Sequence, residues 1–409
     1  MREARLFSLL LNAHQPYLTG NCEAHDIPTP MYETVRDSYL QIIQVFRKIA
    51  ERSGKIGMSV SVSPTLLARF SELDFNRGFL HHMDVTIKHL TGDLRYFAEA
   101  GKKEKLRVAE YWLQKYDELT SLFNDVSGDI VSELSRLERH GLELITSMAT
   151  DEHLPLLAND KRIKAQIGMG AKAFEECFGH EPGGIWIPGT TQGARYDGGN
   201  NVQGTAFPWK TVEDAVTTAG FRYFVTDEDA GSSATVAGEA DNASMQPDRG
   251  QGTDAPCDHV HGDEAATVFV ASAMYGIPEH RRGEGYASHP DYLDCSRKNI
   301  PGGIRYWRQT AGTVSQEAGE TYVPEAAGER AAEHASDFLD RVVDIFPSQQ
   351  RPVVALAMDI ELFGNLWFEG PSWISCLYGK LGTYGITGET IGASMPADRL
   401  NRHIGGLLF

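Results

Sequence analysis

The chain has 409 residues, 41% hydrophobic and 23% charged, with a formal net charge of -18. That is ordinary globular composition with ample apolar material for a large core. A surface this acidic repels nucleic acid and anionic lipid, so neither is expected as a partner.

The five cysteines are scattered, odd in number and never paired as Cys-x-x-Cys. A disulfide framework or zinc ribbon is therefore not expected, and a reducing, cytoplasmic compartment fits. The apolar stretch Leu6 to Leu11 is too short to cross a membrane and has no small-residue cleavage site after it. It is expected to be a buried strand, the first of seven apolar runs. The others are Ile56–Val62, Leu142–Thr146, Gly184–Ile187, Phe221–Val225, Thr267–Val270 and Val353–Met358. Runs of this kind mark strands buried on both faces, as in a parallel sheet.

Helical periodicity fills the gaps. Val35, Tyr39, Ile42, Phe46 and Ile49 step by three or four, as do Leu106, Ala109, Trp112 and Leu113. So do Ile163, Ile167, Ala171, Phe174 and Phe178, and then Ala332, Ala335, Leu339, Val342 and Phe346. Strand–helix alternation implies β-α-β units with right-handed crossovers, and seven strands suggest a closed or nearly closed α/β barrel. About 75–140 is a helical insertion after the second strand. About 229–265, rich in Gly, Ala, Ser, Asp and Gln without a period, is expected to be a long mobile loop. Within that loop Cys257, Asp258, His259, His261 and Asp263 resemble metal ligands by type, but their spacing matches no known site. Neither a metal nor another cofactor is expected, since the Gly-rich stretches also lack a phosphate-loop pattern.

In parallel barrels the reacting groups come from the C-terminal ends of strands, where the loops converge on one mouth. The residues after the apolar runs are polar there. They include Asn12-Ala13-His14-Gln15-Pro16, Met148-Ala149-Thr150-Asp151, Pro188-Gly189, Thr226-Asp227-Glu228 and Asp359-Ile360-Glu361.

The stretch Asp359-Ile360-Glu361-Leu362-Phe363-Gly364-Asn365-Leu366-Trp367-Phe368-Glu369-Gly370-Pro371 resembles the acid/base motif of glycoside hydrolase family 57, in its α-glucan branching type. Ala13-His14-Gln15-Pro16, Ala149 to Leu157 and Gly184-Ile185-Trp186-Ile187-Pro188 are similar to further motifs of that family, in the same order. Pro290-Asp291-Tyr292 and Arg305-Tyr306-Trp307-Arg308 resemble connecting segments of the branching type. The similarity runs from about residue 5 to 375.

The resemblance implies an incomplete seven-stranded (β/α)7 barrel over 1–375, followed by a short divergent tail, 376–409. It also implies retaining chemistry on an α-glucan or maltooligosaccharide. One carboxylate attacks the anomeric carbon, and a second, about 5 Å away, protonates the leaving oxygen. In a branching enzyme an α-1,4 bond is exchanged for an α-1,6 bond. Asp359 stands at the acid/base position, and His14, Asp151, Trp186 and Trp367 are the candidate sugar contacts.

The nucleophile position, however, holds Gly189, which carries no carboxylate. Removing a nucleophile typically costs several orders of magnitude in rate. Asn12, Asp151 and Asn365 stand where the family has histidine, and the Gly-rich stretch Gly379 to Phe409 is not expected to supply a large part of the helical platform that follows the motif in the branching type. Three readings follow. The first is a catalytically silent barrel that still holds glucan. The second is an active enzyme using Asp359 with a relocated carboxylate, for which Asp151, Asp197 and Asp227 are candidates, although a turn or solvated position fits each of them better. The third is an interaction protein without sugar binding.

Overall fold

A computed structural model describes residues 5–15, 29–150, 159–187, 209–227, 268–270, 285–309, 319–346, 353–394 and 403–406. All seven apolar runs are strands: β1 (Arg5–Ala13), β2 (Met58–Val62), β3 (Leu142–Ser147), β4 (Gly184–Ile187), β5 (Tyr223–Asp227), β6 (Val268–Val270) and β7 (Val353–Asp359). Two short strands were not anticipated, β8 (Ile386–Gly388) and β9 (His403–Gly406). The sheet order is β6-β7-β1-β2-β3-β4-β5-β9, with β8 also on β1, and every pairing is parallel. The result is the expected incomplete β/α barrel.

Helices connect these strands. After β1 come α1 (Thr29–Thr34), a π-helical segment (Val35–Tyr39) and α2 (Leu40–Ser53). After β2 the chain enters α3 (Pro64–Phe70), where Ser63 caps by accepting from the Leu66 N–H and Pro64 takes the first turn. The insertion follows as α4 (Phe75–Glu99), α5 (Lys103–Asp125) and α6 (Ile130–Glu138). It packs on itself through the Phe79 and Phe123 rings, 4.4 Å apart. Trp112 ties it to the barrel by donating its indole N–H to the Arg305 carbonyl at 2.7 Å. Beyond β3 lie α7 (Asp160–Phe178), α8 (Trp209–Thr218), α9 (Pro324–Ile345) and α10 (Gly370–Lys380).

Strand alternation sorts side chains into two cores. Phe7, Leu9, Leu11, Met58, Val60, Val62, Val354, Leu356 and Met358 face the helices. Leu10, Ile145, Trp186, Tyr223, Val225, Ala355 and Ala357 face inward and form a separate cluster. The rest of the inner face is small and polar: Ser8, Ser59 and Ser61 are fully buried.

The C-terminal segment fills the space those serines leave. β8 lies beside the first residues of β1, pairing Arg5 with Ile386 and Phe7 with Gly388, whereas β2 pairs with β1 only from Leu10 onward. A single helical turn, α11 (Ile391–Ser394), follows. Ile391 joins the inner cluster, and its N–H donates to Ser59 Oγ at 2.9 Å. The Gly392 N–H and the Ser59 hydroxyl both donate to the Glu143 carboxylate, at 2.9 and 2.6 Å. Ser394 and Ser8 share a hydrogen bond of 2.7 Å. Residues 386–394 are thus a plug at the N-terminal end of the barrel.

Gly392 is glycine because a Cβ there would lie 2.2 Å from Glu143 Oε1. Gly392→Ala should therefore cost about 1–3 kcal/mol, the usual range for overpacking. Gly382→Ala, where a Cβ meets nothing within 4 Å, should be nearly neutral. Urea unfolding of both variants measures the difference, and equal midpoints would rule out the plug as described.

Candidate active site

β1 and β7 run side by side in register Asn12 with Asp359, so both residues reach the C-terminal end of the inner face together. Asn12 Nδ2 donates to Asp359 Oδ1 at 3.0 Å. Asn12 is 5% exposed, and its Oδ1 has no hydrogen-bond partner among the described residues. A buried acceptor normally has a donor, so this oxygen is an exception within the polar set at the strand ends.

A 3-10 turn, Ile360–Leu362, follows Asp359 and sets a second carboxyl beside it. Glu361 Oε1 accepts from the Tyr39 hydroxyl at 2.5 Å and from Gln15 Nε2 at 3.0 Å. The Gln15 carbonyl accepts from Thr65 Oγ1 at 3.0 Å, and the Ser63 N–H donates to the Ala13 carbonyl at 3.0 Å. The ends of β1, β2 and β7 are thereby fastened to one another. Burial pushes the Glu361 carboxyl up to about 7, against the pull of the Tyr39 and Gln15 hydrogen bonds, and the Asp359 charge adds to the rise. Burial and the facing Glu361 raise the Tyr39 phenol well above its ordinary value.

The π-helical segment explains why Tyr39 can reach. In one turn, Asp37, Ser38 and Tyr39 all meet the loop after β7. The Asp37 carbonyl lies against Gly364, where a Cβ would come within 1.7 Å and where φ is +109°, so only glycine fits. Ser38 Oγ accepts from the Asn365 N–H at 3.2 Å. Single π turns of this kind often occur at functional sites, where they re-aim neighbouring side chains.

Beneath this contact lies a buried ion triad. Arg36 holds Asp37 through two bonds of 2.7 and 2.9 Å, and Arg305 adds a third of 3.0 Å. Burial alone would raise the Asp37 carboxyl, but the two guanidiniums keep it below its usual range. Behind the loop, the Leu293 N–H donates to Glu369 Oε1 at 3.0 Å, and burial pushes Glu369 up to about 7.

The sequence-derived candidates fall in three places. Asp359 is at the mouth, and half-buried His14 sits at the end of β1, between Ala13 and Gln15. Trp186 and Trp367 are core side chains, 0% and 1% exposed, with no ring face at the surface. Trp186 lies in the inner cluster, and Trp367 packs against Tyr292, Phe363 and Trp373. Gly189 and Asp151 lie outside the described residues, as do Asp197, the 229–265 loop and its Cys257–Asp263 group. β4 ends at Ile187, two positions before Gly189, at the same end of the sheet as Asp359. The description of β3's loop stops at Thr150, whose N–H donates to Gln166 Oε1 at 3.0 Å.

Glu361 and Tyr39 were not singled out from sequence. The available signals were a carboxylate two residues past Asp359 and a tyrosine on a helical stripe. Among the described residues no group of three or more His, Cys, Asp or Glu is arranged to hold a metal, and no helix is long and apolar enough to cross a membrane.

Comparison with known proteins gives a consistent picture. Residues 8–251 match the sequence profile of Glycosyl hydrolase family 57. A 1,4-alpha-glucan branching enzyme of Thermococcus kodakarensis is 27% identical over 94% of this chain, which spans 56% of that relative's length. The crystal structure of a branching enzyme from Pyrococcus horikoshii superposes with a TM-score of 0.75 at 23% identity, covering 98% of this chain and 72% of that one. That of an alpha-amylase from Thermotoga maritima gives 0.76 at 20% identity, covering 100% and 76%.

The raised Glu361 carboxyl has a consequence for stability. Its folded value lies above the ordinary 4.5, so the folded state retains a proton that the unfolded chain has lost. Stability from this group is therefore greatest below about 4.5 and falls as pH rises towards about 7, by on the order of 1–3 kcal/mol. Glu361→Gln should remove this component, so the variant gains on the wild type between pH 5 and pH 8. Urea midpoints at the two pH values test it. An unchanged difference between the proteins would show that Glu361 is not buried with its proton.

Proposed function

The chain belongs to glycosyl hydrolase family 57, and from that premise we propose that it is an α-glucan-binding barrel whose double-displacement chemistry is disabled at Gly189. The observation that carries this reading is the Asn12–Asp359 pair. The carboxylate is held at the C-terminal end of the inner face by a buried amide that donates to it. A sugar hydroxyl can donate a further hydrogen bond to such a carboxylate.

The retaining reaction needs two carboxyls on opposite sides of the anomeric carbon, about 5 Å apart. Asp359 is suited to protonate the leaving oxygen. The partner at position 189 has no side chain to attack with. Glu361 does not replace it. It leaves the same strand end as Asp359 and already accepts from Tyr39 and Gln15. Without attack no glycosyl-enzyme intermediate forms, and the site is left with recognition. The sequence similarity to branching enzymes supports a linear α-1,4-glucan as the ligand.

Calorimetric titration with maltoheptaose should show saturable binding, weakened about tenfold or more by Asp359→Asn, the usual scale for a hydrogen bond to a charged group. Silence on titration would overturn the proposal in favour of a barrel without sugar binding. Incubation of the wild type with amylose should yield no α-1,6 branches, and branched product would show that a relocated carboxylate works. Gly189→Glu, or formate added to the wild type with an activated glucoside, should raise cleavage measurably. If neither does, the damage extends to Asn12, Asp151 and Asn365.

A further inference from the structure

A second cavity, of about 970 Å³, opens between the α4–α5 elbow and the segment carrying Lys298 to Trp307. Its floor is fixed. Tyr306 and Asn299 both donate to the Asp93 carboxylate, at 2.8 and 3.0 Å, and the Phe97 and Tyr306 rings meet edge to face at 5.1 Å. Lys298 at its rim is held by Glu33 through bonds of 2.8 and 2.9 Å.

The remaining charge at this cleft is unusual for the chain. Lys102, Lys103 and Lys105 stand together at the start of α5, against the carboxylates of Glu104 and Asp93, in a protein of net charge -18. The position makes the arrangement costly. A helix N-terminus carries a partial positive charge, so three lysines there repel it, where acidic residues would be favoured. Lys102, at the N-cap, supplies no side-chain cap either. A sequence that breaks a local rule this way commonly does so for a function.

The walls of the cleft are aromatic and apolar. Trp307 lines it at 5% exposure, with Arg297 stacked on its ring at 4.2 Å. Tyr96 and Ile300 flank the opening at 54% and 79% exposure, giving it an apolar wall. Lys102 already lies over the Tyr96 ring at 4.8 Å, and Lys105 over the Trp307 ring at 4.8 Å. The cations are therefore arrayed on aromatic supports instead of trailing into solvent.

We propose that this cleft binds a sugar phosphate, with the phosphate on the lysines at the start of α5 and the sugar between Tyr96 and Ile300. Helix N-termini and lysines are both established phosphate ligands, and a cavity of this size holds such a molecule with room to spare. The phosphate half stands on the cleft alone. The choice of a sugar as its carrier rests on the glucan reading of the barrel mouth.

The test uses the full chain, with glucose 6-phosphate and inorganic phosphate titrated separately at low ionic strength. Glucose 6-phosphate should bind saturably and at least about tenfold tighter than phosphate, a 1.4 kcal/mol difference. The double variant Lys102→Asp/Lys103→Glu should lose at least about tenfold of that affinity. Its thermal midpoint should be unchanged or higher, because both replacements suit a helix N-terminus. Maltoheptaose binding should be the same in the variant, which separates this site from the mouth. The proposal fails if glucose 6-phosphate gives no saturable signal, if the variant binds it as the wild type does, or if inorganic phosphate binds equally well.

Discussion

The site depends on the buried pairing of Asp37 with Arg36 and Arg305. Three charges with side chains 1–4% exposed are removed from water at that point. Such a cluster is costly to bury and gives little net stability compared with apolar packing. It does fix geometry, because removing Asp37 would leave two uncompensated guanidiniums in the core, at a cost of roughly 3–5 kcal/mol. The triad joins the π-helical segment after β1 to the Arg305 segment. The Asp37 carbonyl and the Ser38 hydroxyl then carry that rigidity to Gly364 and Asn365. The loop that follows Asp359 is held from beneath, and Asp359 inherits its position from there.

The two ends of the barrel show two ways of treating polar groups on an inner face. At the C-terminal end the polar set of Asn12, Asp359 and Glu361 is fastened by Tyr39, Gln15 and the Asn12 amide itself, with the Asn12 oxygen buried and without a partner among the described residues. At the N-terminal end Ser8, Ser59 and Glu143 are satisfied by Ser394, Ile391 and Gly392. Between them, Leu10, Ile145, Trp186 and Val225 form an apolar layer.

This contrast also explains what sequence could and could not reveal. The seven long strands were legible because parallel strands covered on both faces must be apolar almost throughout. β8 and β9 were not, because three or four residues of Ile-Thr-Gly or His-Ile-Gly-Gly carry no period. Asp359 was legible as a strand-end carboxylate, because the apolar run Val353–Met358 stops at it. Glu361 was not, because its environment depends on Tyr39 and Gln15, 322 and 346 positions earlier. Trp186 fits a sugar contact or a core residue by sequence. It does lie on the inward face, but at 0% exposure it is packed inside the apolar layer, a depth that no strand pattern encodes.

The plug has a consequence for how the molecule comes into being. A ribosome delivers β1 well before residues 386–394, yet the first residues of β1 take β8 as a neighbour and the inner cluster includes Ile391. Until that segment emerges, Ser8, Ser59 and Glu143 lack the groups that satisfy them, and Trp186 lacks one wall. The nascent chain must therefore wait with its barrel open at one end, in the state where quality-control proteases and chaperones compete for it.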